Sequence, residues 1–212
     1  YSDTTDDYGY VYVSGDDGVF PVGRTYIASA GTAEEWAGDV ILQYDRDLGR
    51  IDSSTLVGVE YRSVTSTEDS AFAGADPIDP RNPDYSGAPE ILSPYVGQNR
   101  DSRTRAVFVQ QNLSLDDRFI ATVGARHDRL DLSVDNRLMG TSDSDDYAET
   151  SLRGALTWKV TPEISAYASY AESVAPPDLG TDPERGDQYE LGVKYEPTGF
   201  DGLFSAAIYD LT

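Results

Sequence analysis

The groups that could do chemistry are carboxylates and phenols, since the 212-residue chain contains 38 Asp and Glu and 15 Tyr. It contains no Cys, which excludes a disulfide framework, a thiolate metal site and a Cys nucleophile. The single His127 excludes a site with several His ligands and leaves one candidate for a Ser-His-Asp triad. No carboxylate pair, nucleophile elbow or metal cluster stands out, so we expect no enzyme and no metal site.

Two carboxylate clusters imitate cation sites. Residues 45–52 begin like a calcium loop, but a ligand at the fifth position and the closing Glu at the twelfth are missing, so we interpret them as a solvated turn. We interpret the acidic run 142–146 as an exposed loop tip. His127 falls on the apolar side of its strand and the sequon at Asn112 falls within a predicted strand, so neither is assigned a role.

The net charge is −22, from 16 Lys and Arg against 38 Asp and Glu. This balance excludes a nucleic-acid partner, because phosphates require a basic surface. It permits cation binding, and it keeps the chain soluble by self-repulsion. The apolar content of 39 % is low for a packed globule, but the apolar residues recur in short regular segments, which argues against disorder.

The elements that must position these groups are strands. Apolar and polar residues alternate with a period of two, whereas a helix would require apolar residues at i, i+3 and i+4. We predict nine strands, at 7–14, 24–46, 53–67, 102–115, 118–133, 147–160, 163–174, 186–197 and 202–212. No apolar run reaches the roughly 18 residues of a transmembrane helix, but a barrel strand needs only about 9–11.

The connections form two classes that alternate along the chain. Short turns are predicted at 47–50, 116–117, 161–163 and 198–202, and long acidic loops at 14–23, 68–101, 134–146 and 175–185. Repeated Pro in the longest loop predicts an extended, irregular segment. Up-and-down strands place successive connections at opposite ends, and short turns at one end with long loops at the other characterise outer-membrane barrels.

This pattern predicts an all-β fold, an antiparallel up-and-down transmembrane β-barrel of which the chain supplies about nine strands. The short turns would be periplasmic and the long loops extracellular. Tyr44, Trp158 and Tyr195 lie near the short turns, where an aromatic girdle is expected at the lipid interface.

Four segments, in order along the chain, resemble the barrel of TonB-dependent siderophore receptors, most closely the ferrichrome or hydroxamate type. They are RTRAVFVQQNLSLDDRFIATVGARHDRLD at 103–131, YASYAESVAPP at 167–177, GDQYELGVKYEP at 186–197 and LFSAAIYDLT at 203–212. In the first segment, Gly124, Arg126 and Asp128 have the Gly-x-Arg-x-Asp spacing with which the corresponding strand of the family ends. The resemblance extends from about residue 24 to the end.

The resemblance implies a barrel of about 22 strands plugged by an N-terminal domain. Residues 1–212 would then form part of the barrel domain, with the plug and the remaining strands outside this chain. It implies active transport of ferric siderophores across the outer membrane of a Gram-negative bacterium. The implied partners are the ferric siderophore, outer-membrane lipid and lipopolysaccharide, and the TonB-ExbB-ExbD complex acting through the plug. No cofactor is expected, since iron arrives inside the siderophore.

The resemblance also indicates which residues would bind the substrate. Tyr8 and Tyr10 resemble the family's Tyr-x-Tyr on the loop after an early strand, and Phe72 resembles an aromatic at the base of the next large loop. Tyr suits a hydroxamate chelate because its ring packs on methylenes and its hydroxyl donates to chelate oxygens. Tyr85 and Tyr95 also fall on the long loop, but no motif supports them.

Two other functions remain open from the residues alone. A passive porin would use the same barrel without a plug or TonB coupling. A soluble calcium- or glycan-binding β-sandwich would fold without detergent and would melt at a temperature that depends on calcium. The electrostatic repulsion of anionic chelates favours a neutral or cationic hydroxamate as the substrate of the first function.

Overall fold

A computed structural model describes residues 1–15, 20–85 and 92–212, and in these residues the chain is all-β. Its strands are β1 (Ser2–Gly15), β2 (Val22–Asp47), β3 (Ile51–Ile78), β4 (Ser93–Leu115), β5 (Phe119–Asn136), β6 (Thr141–Lys159), β7 (Ile164–Ala175), β8 (Glu184–Tyr195) and β9 (Phe204–Leu211). No helix long and apolar enough to cross a membrane occurs in the described residues.

The strands form one sheet in which each strand pairs with its neighbours in chain order, from β1 to β9. The pairs β1–β2, β6–β7, β7–β8 and β8–β9 are antiparallel with continuous registers. Such a meander uses only hairpin connections, because consecutive strands run in opposite directions. The predicted antiparallel up-and-down architecture is confirmed, with β1 and β9 at the two ends of the strand order.

The predicted irregular loop at 68–101 is wrong over most of its length. β3 continues to Ile78 and β4 begins at Ser93, so only 79–92 connects them, and 86–91 lie outside the described residues. Pro77 and Pro94 are each one residue from a strand end. Proline removes a backbone donor, but its fixed φ lies within the range that extended strands use, so it is tolerated at such positions.

The predicted acidic loop at 134–146 is also wrong. β5 continues to Asn136 and β6 begins at Thr141, so the run 142–146 is strand and its interpretation as a loop tip is incorrect. The turn is tight because the Asn136 side chain accepts hydrogen bonds from the backbone N–H of Leu138 and Met139, both at 3.0 Å. Gly140 closes the turn with a φ of 67°, which glycine adopts without a Cβ clash.

The short turns confirm their predicted positions. At the β2–β3 turn, which includes the calcium-like residues, the Asp47 side chain accepts a hydrogen bond from the Gly49 N–H at 2.6 Å. At the β4–β5 turn, Asp116 and Asp117 have φ values of 52° and 56°, a conformation that Asp and Asn adopt more readily than other side chains. Such residues give two-residue hairpin turns a twist that matches the flanking strands.

The chain divides into two compact units. Unit 1 comprises Tyr1–Trp36, Ser63–Arg103 and Leu132–Asp145, and unit 2 comprises Ala37–Arg62, Thr104–Asp131 and Asp146–Thr212. Unit 1 contains the connections β1–β2, β3–β4 and β5–β6. Unit 2 contains the short turns and the β7–β8 connection.

In unit 2, side chains alternate between an apolar and a polar face. On β8, Tyr189, Leu191, Val193 and Tyr195 are 40–58 % exposed although they are large and apolar. The residues between them are polar or glycine, and Glu190 accepts a hydrogen bond from the Tyr167 hydroxyl of β7. A contiguous exposed apolar face is costly in water and is expected where a barrel strand meets lipid.

Glycine on the polar face makes room for long side chains of the neighbouring strand. The Tyr167 ring lies across Gly192, where a Cβ would collide with it, and the Phe108 ring lies across Gly58 in the same way. Because a directly opposing residue has no side chain, the ring can lie along the sheet and reach a polar partner one strand away.

We expect Gly192→Ala to lower the free energy of unfolding of the full-length protein by about 1–3 kcal/mol, because the added methyl displaces the Tyr167 ring. The measurement is denaturant unfolding in detergent micelles. Gly38→Ala is the matched control, since a Cβ at Gly38 meets no atom within 4 Å. Equal effects of the two substitutions would contradict the packing account.

We expect Asp116→Asn to lower stability at neutral pH and to have no effect in strong acid. The Arg50 guanidinium donates to the Asp116 carboxylate, at 2.9 Å from Nε, and holds the pKa of that carboxyl below its usual range. A carboxyl with a lowered folded-state pKa stabilises the fold above its unfolded pKa and loses that contribution as pH falls through the folded value.

The measurement is the unfolding midpoint of wild type and variant as a function of pH. Asn keeps the left-handed backbone that the turn needs, so the substitution isolates the charge. Asp117→Asn is the control, with a similar φ and without the Arg50 contact. A pH-independent difference between wild type and Asp116→Asn would argue against the ion pair.

Candidate aromatic binding surface

Tyr8 and Tyr10 lie on β1 in unit 1, two residues apart and therefore on one face of the strand. Their ring centroids are 6.3 Å apart and the ring planes differ by 12°. Tyr12 continues the row, with its centroid 6.2 Å from that of Tyr10. The three side chains are 56 %, 50 % and 45 % exposed, which leaves their rings and hydroxyls available to a ligand.

The pairing of β1 with β2 places Ser29 opposite Tyr8 and Ile27 opposite Tyr10. Directly opposed residues share a face of the sheet, so both β2 side chains lie beside the tyrosine row. Gly9, between the two tyrosines, points to the other face, where the Tyr26 ring occupies the space that a Cβ would need.

β3 extends the same face. The Ser29 hydroxyl is hydrogen-bonded to the Ser70 hydroxyl at 2.9 Å, and a second hydroxyl pair, Thr32 with Thr67 at 2.7 Å, fixes the same offset between the strands. Phe72 follows Ser70 by two residues, so the same offset places Phe72 beside Ile27. Tyr10 and Phe72 are thus two strand spacings apart, about 10 Å, on one face.

Tyr95 of β4 completes the arrangement, with its ring centroid 5.9 Å from that of Phe72 and the planes inclined at 58°. We name Tyr8, Tyr10, Tyr12, Phe72 and Tyr95 the aromatic surface. All five are 45–56 % exposed. Such a surface can pack on the methylenes of a ligand and donate phenolic hydrogen bonds to its oxygens.

The structure places the three residues predicted from the sequence on one face of the sheet, Tyr8 and Tyr10 on β1 and Phe72 on β3, with β2 between them. It does not place Tyr8 and Tyr10 on a loop, because β1 begins at Ser2. Tyr12 was missed although it shares the period-two spacing of Tyr8 and Tyr10. Tyr95 could not be assigned while its strand was interpreted as loop, and Tyr85 is 81 % exposed and has no ring contact in the described part of the chain.

Arg81, in the β3–β4 connection, is already paired with a carboxylate. Arg81 donates to Asp79 from Nε at 2.8 Å and from Nη2 at 2.7 Å, and its guanidinium lies 5.1 Å from the centroid of the Phe20 ring. These hydrogen bonds lower the pKa of Asp79 to about 2. Because Asp79 stays ionised and paired, this part of unit 1 offers little positive charge to an anionic ligand.

Unit 2 has a separate cavity of about 400 Å³ that the sequence did not indicate. Arg126 lies on its wall, with Nη1 2.9 Å from Glu60 and Nε 2.9 Å from Asp128. Gly124, at the start of the same motif, makes room for the Arg153 side chain. The Gly-x-Arg-x-Asp spacing thus builds an ion-paired polar wall.

His127 lies on β5, and the two carboxylate clusters, residues 45–52 and 142–146, lie at the β2–β3 turn and on β6. His127 is exposed and its Nδ1 lies 2.9 Å from the Thr150 hydroxyl. Within residues 1–15, 20–85 and 92–212, no group of three His, Asp or Glu side chains is placed to hold a metal ion.

The whole chain, residues 1–212, matches the family model described as TonB dependent receptor-like, beta-barrel. It is 30 % identical over 205 residues to the ferrioxamine B receptor of Salmonella typhimurium, covering 94 % of this chain and 29 % of the relative. It is 29 % identical over 204 residues to the ferrichrome outer membrane transporter/phage receptor of Escherichia coli K12, covering 89 % and 27 %. The chain thus spans less than a third of these relatives.

Solved structures agree on the fold. The ferric-catecholate import receptor of E. coli K12 superposes with a TM-score of 0.82 at 17 % identity, covering 98 % of this chain and 36 % of that one. The ferric preacinetobactin receptor of Acinetobacter baumannii gives 0.76 at 20 % identity, covering 99 % and 33 %. With a family match over its full length, this chain belongs to the TonB-dependent receptor-like β-barrel family.

Proposed function

We propose that the receptor containing this chain imports ferric siderophores, of the hydroxamate type, across the bacterial outer membrane. Residues 1–212 form part of its barrel domain, in a protein that also has a plug domain and further strands. The aromatic surface binds the siderophore on the extracellular side. Tyr8, Tyr10 and Phe72 are the residues we assign to this contact.

The observation that carries the proposal is the convergence of these exposed aromatic side chains on one face of unit 1. Ordinary strand aromatics in a barrel pack against lipid or into a filled interior. Here the rings of the tyrosine row contact one another, with centroids 6.2–6.3 Å apart, and about half of each side chain is exposed. A neutral chelate with long methylene linkers is suited to such a surface, since the rings cover its carbon and the hydroxyls reach its oxygens.

The named ligands of the curated relatives support the same class of substrate. Those relatives are receptors for ferrioxamine B and for ferrichrome, and we extend that class of ligand to this chain. The charge of −22 supports a neutral or cationic chelate over a strongly anionic one. Iron enters as part of the chelate, so the protein needs neither a metal ligand nor a cofactor.

Transport requires energy from outside this chain. In the proposal, the TonB-ExbB-ExbD complex acts through the plug domain, and outer-membrane lipid and lipopolysaccharide surround the barrel. The receptor moves its substrate without changing it chemically, so we assign no enzymatic activity. Family membership disfavours a passive porin and a soluble β-sandwich, since neither belongs to the TonB-dependent receptors.

We expect Tyr8→Ala/Tyr10→Ala to weaken binding of a ferric hydroxamate by roughly 10- to 100-fold, since two aromatic contacts are lost. The measurement is quenching of tryptophan and tyrosine fluorescence in the full-length receptor in detergent, titrated with a panel of ferric siderophores. Wild type should respond at sub-micromolar concentrations. Phe72→Ala tests the β3 side of the surface in the same titration.

The matched control is Val11→Ala. Val11 lies between Tyr10 and Tyr12 on β1 and points to the opposite face, so its truncation perturbs the strand equally and leaves the aromatic surface intact. Equal weakening by Val11→Ala would indicate a general effect on β1. No quenching of the folded wild-type receptor by any ferric chelate would overturn the proposed substrate class.

A further inference from the structure

We propose that the aromatic surface selects ferric chelates that carry a positively charged arm, and that Asp6 binds this arm. The inference rests on the proposed function and adds a charge preference to it. Asp6 lies two residues from Tyr8 on β1 and on the same face, about 7 Å along the strand. It is exposed, and among the described residues it makes no hydrogen bond or ion pair.

The residue opposite Asp6 on the neighbouring strand has no side chain that could pair with the carboxylate. It is Gly31 of β2, and a Cβ there would lie 3.0 Å from the Thr67 carbonyl oxygen. The offset fixed by the Ser29–Ser70 pair places Glu68 of β3 on the far side of Gly31. Asp6 and Glu68 therefore lie on one face of the sheet on either side of Gly31, about 10 Å apart and next to the tyrosine row.

Most of the cations of unit 1 are engaged away from Asp6. Unit 1 contains no Lys, and its Arg residues are Arg24, Arg81, Arg100, Arg103 and Arg137. Three of them are engaged elsewhere: Arg24 with the Asp76 carbonyl, Arg81 with Asp79, and Arg137 with Asp69.

Arg100 lies on the same face as Glu68, two residues along β4 from Gln98, which donates to Glu68 at 2.8 Å. It is three strand spacings from Asp6, about 14 Å, which exceeds the screening length of roughly 8 Å at physiological salt. In the part of the chain that the structure describes, no cation is paired with Asp6. Among the described residues, the aromatic surface thus has a negative charge at Asp6, complementary to an ammonium group.

The test compares two forms of one chelate. A linear ferric trishydroxamate with a free terminal amine is a cation, and N-acetylation of that amine makes it neutral without changing the iron site. Fluorescence titrations of the full-length receptor in detergent give the ratio of the two dissociation constants. We expect the amine form to bind about two- to fivefold more tightly, as for an exposed ion pair, and the ratio to fall as salt is added.

Substitutions on the two faces of β1 test which carboxylate produces the charge preference. Asp6→Asn should bring the ratio towards one with little change in affinity for the acetylated form. Asp7→Asn removes the same charge from the next residue, whose side chain points to the opposite face, and should keep the wild-type ratio. Glu68→Gln should reduce the ratio less than Asp6→Asn does.

The outcomes separate the two proposals. The charge preference is overturned if the wild-type ratio is one or below, or if Asp6→Asn leaves the ratio unchanged. In either case, binding of both forms of the chelate still supports the proposed function. Binding of neither form by a receptor that shows the gel mobility of a folded barrel overturns the proposed function together with the inference.

Discussion

The register of the antiparallel hydrogen-bond ladder is the constraint on which the rest of the structure depends. In lipid, every backbone polar group of a spanning strand must pair with a neighbouring strand, since no water is available. Pairing fixes the register, and the register decides which side chains share a face. A slip of one residue between β1 and β2 would move Tyr8 and Tyr10 away from Ile27 and to the opposite face of the sheet.

Because a single sheet has no second layer to bury its side chains, packing takes place along the sheet. Among the described residues, the only buried side chains other than those of glycine and proline are Val22, Ala106, Leu132 and Ser70. Large side chains instead lie across glycines of the next strand, as Tyr167 does over Gly192, and find polar partners there. This lateral packing ties neighbouring strands together on the polar face, and the opposite face stays apolar for lipid.

The same geometry connects composition to function. Carboxylates outnumber cations by 38 to 16, and in unit 1 several of the cations are already held by carboxylates or carbonyls. In the proposed function, aromatic rings supply binding area that does not depend on charge, so that a neutral chelate core can bind to an acidic protein. In the charge preference that we propose, Asp6 beside that area discriminates between chelates by their charged arms.

The sequence by itself determined the fold class and nearly every strand, because alternation with a period of two is a local signal that a sheet between lipid and water enforces. Through resemblance to a family, it also predicted Tyr8, Tyr10 and Phe72 as candidate binding residues. The sequence did not predict where the strands end at the long connections. Pro77 and the acidic run 142–146 are locally unfavourable for strands, but pairing with neighbouring strands overrides that preference. Three arrangements were decided only by the tertiary structure, because they depend on registers between strands that are separated in sequence. They are the contact of Tyr95 with Phe72, the position of Gly31 between Asp6 and Glu68, and the position of Arg126 between Glu60 and Asp128.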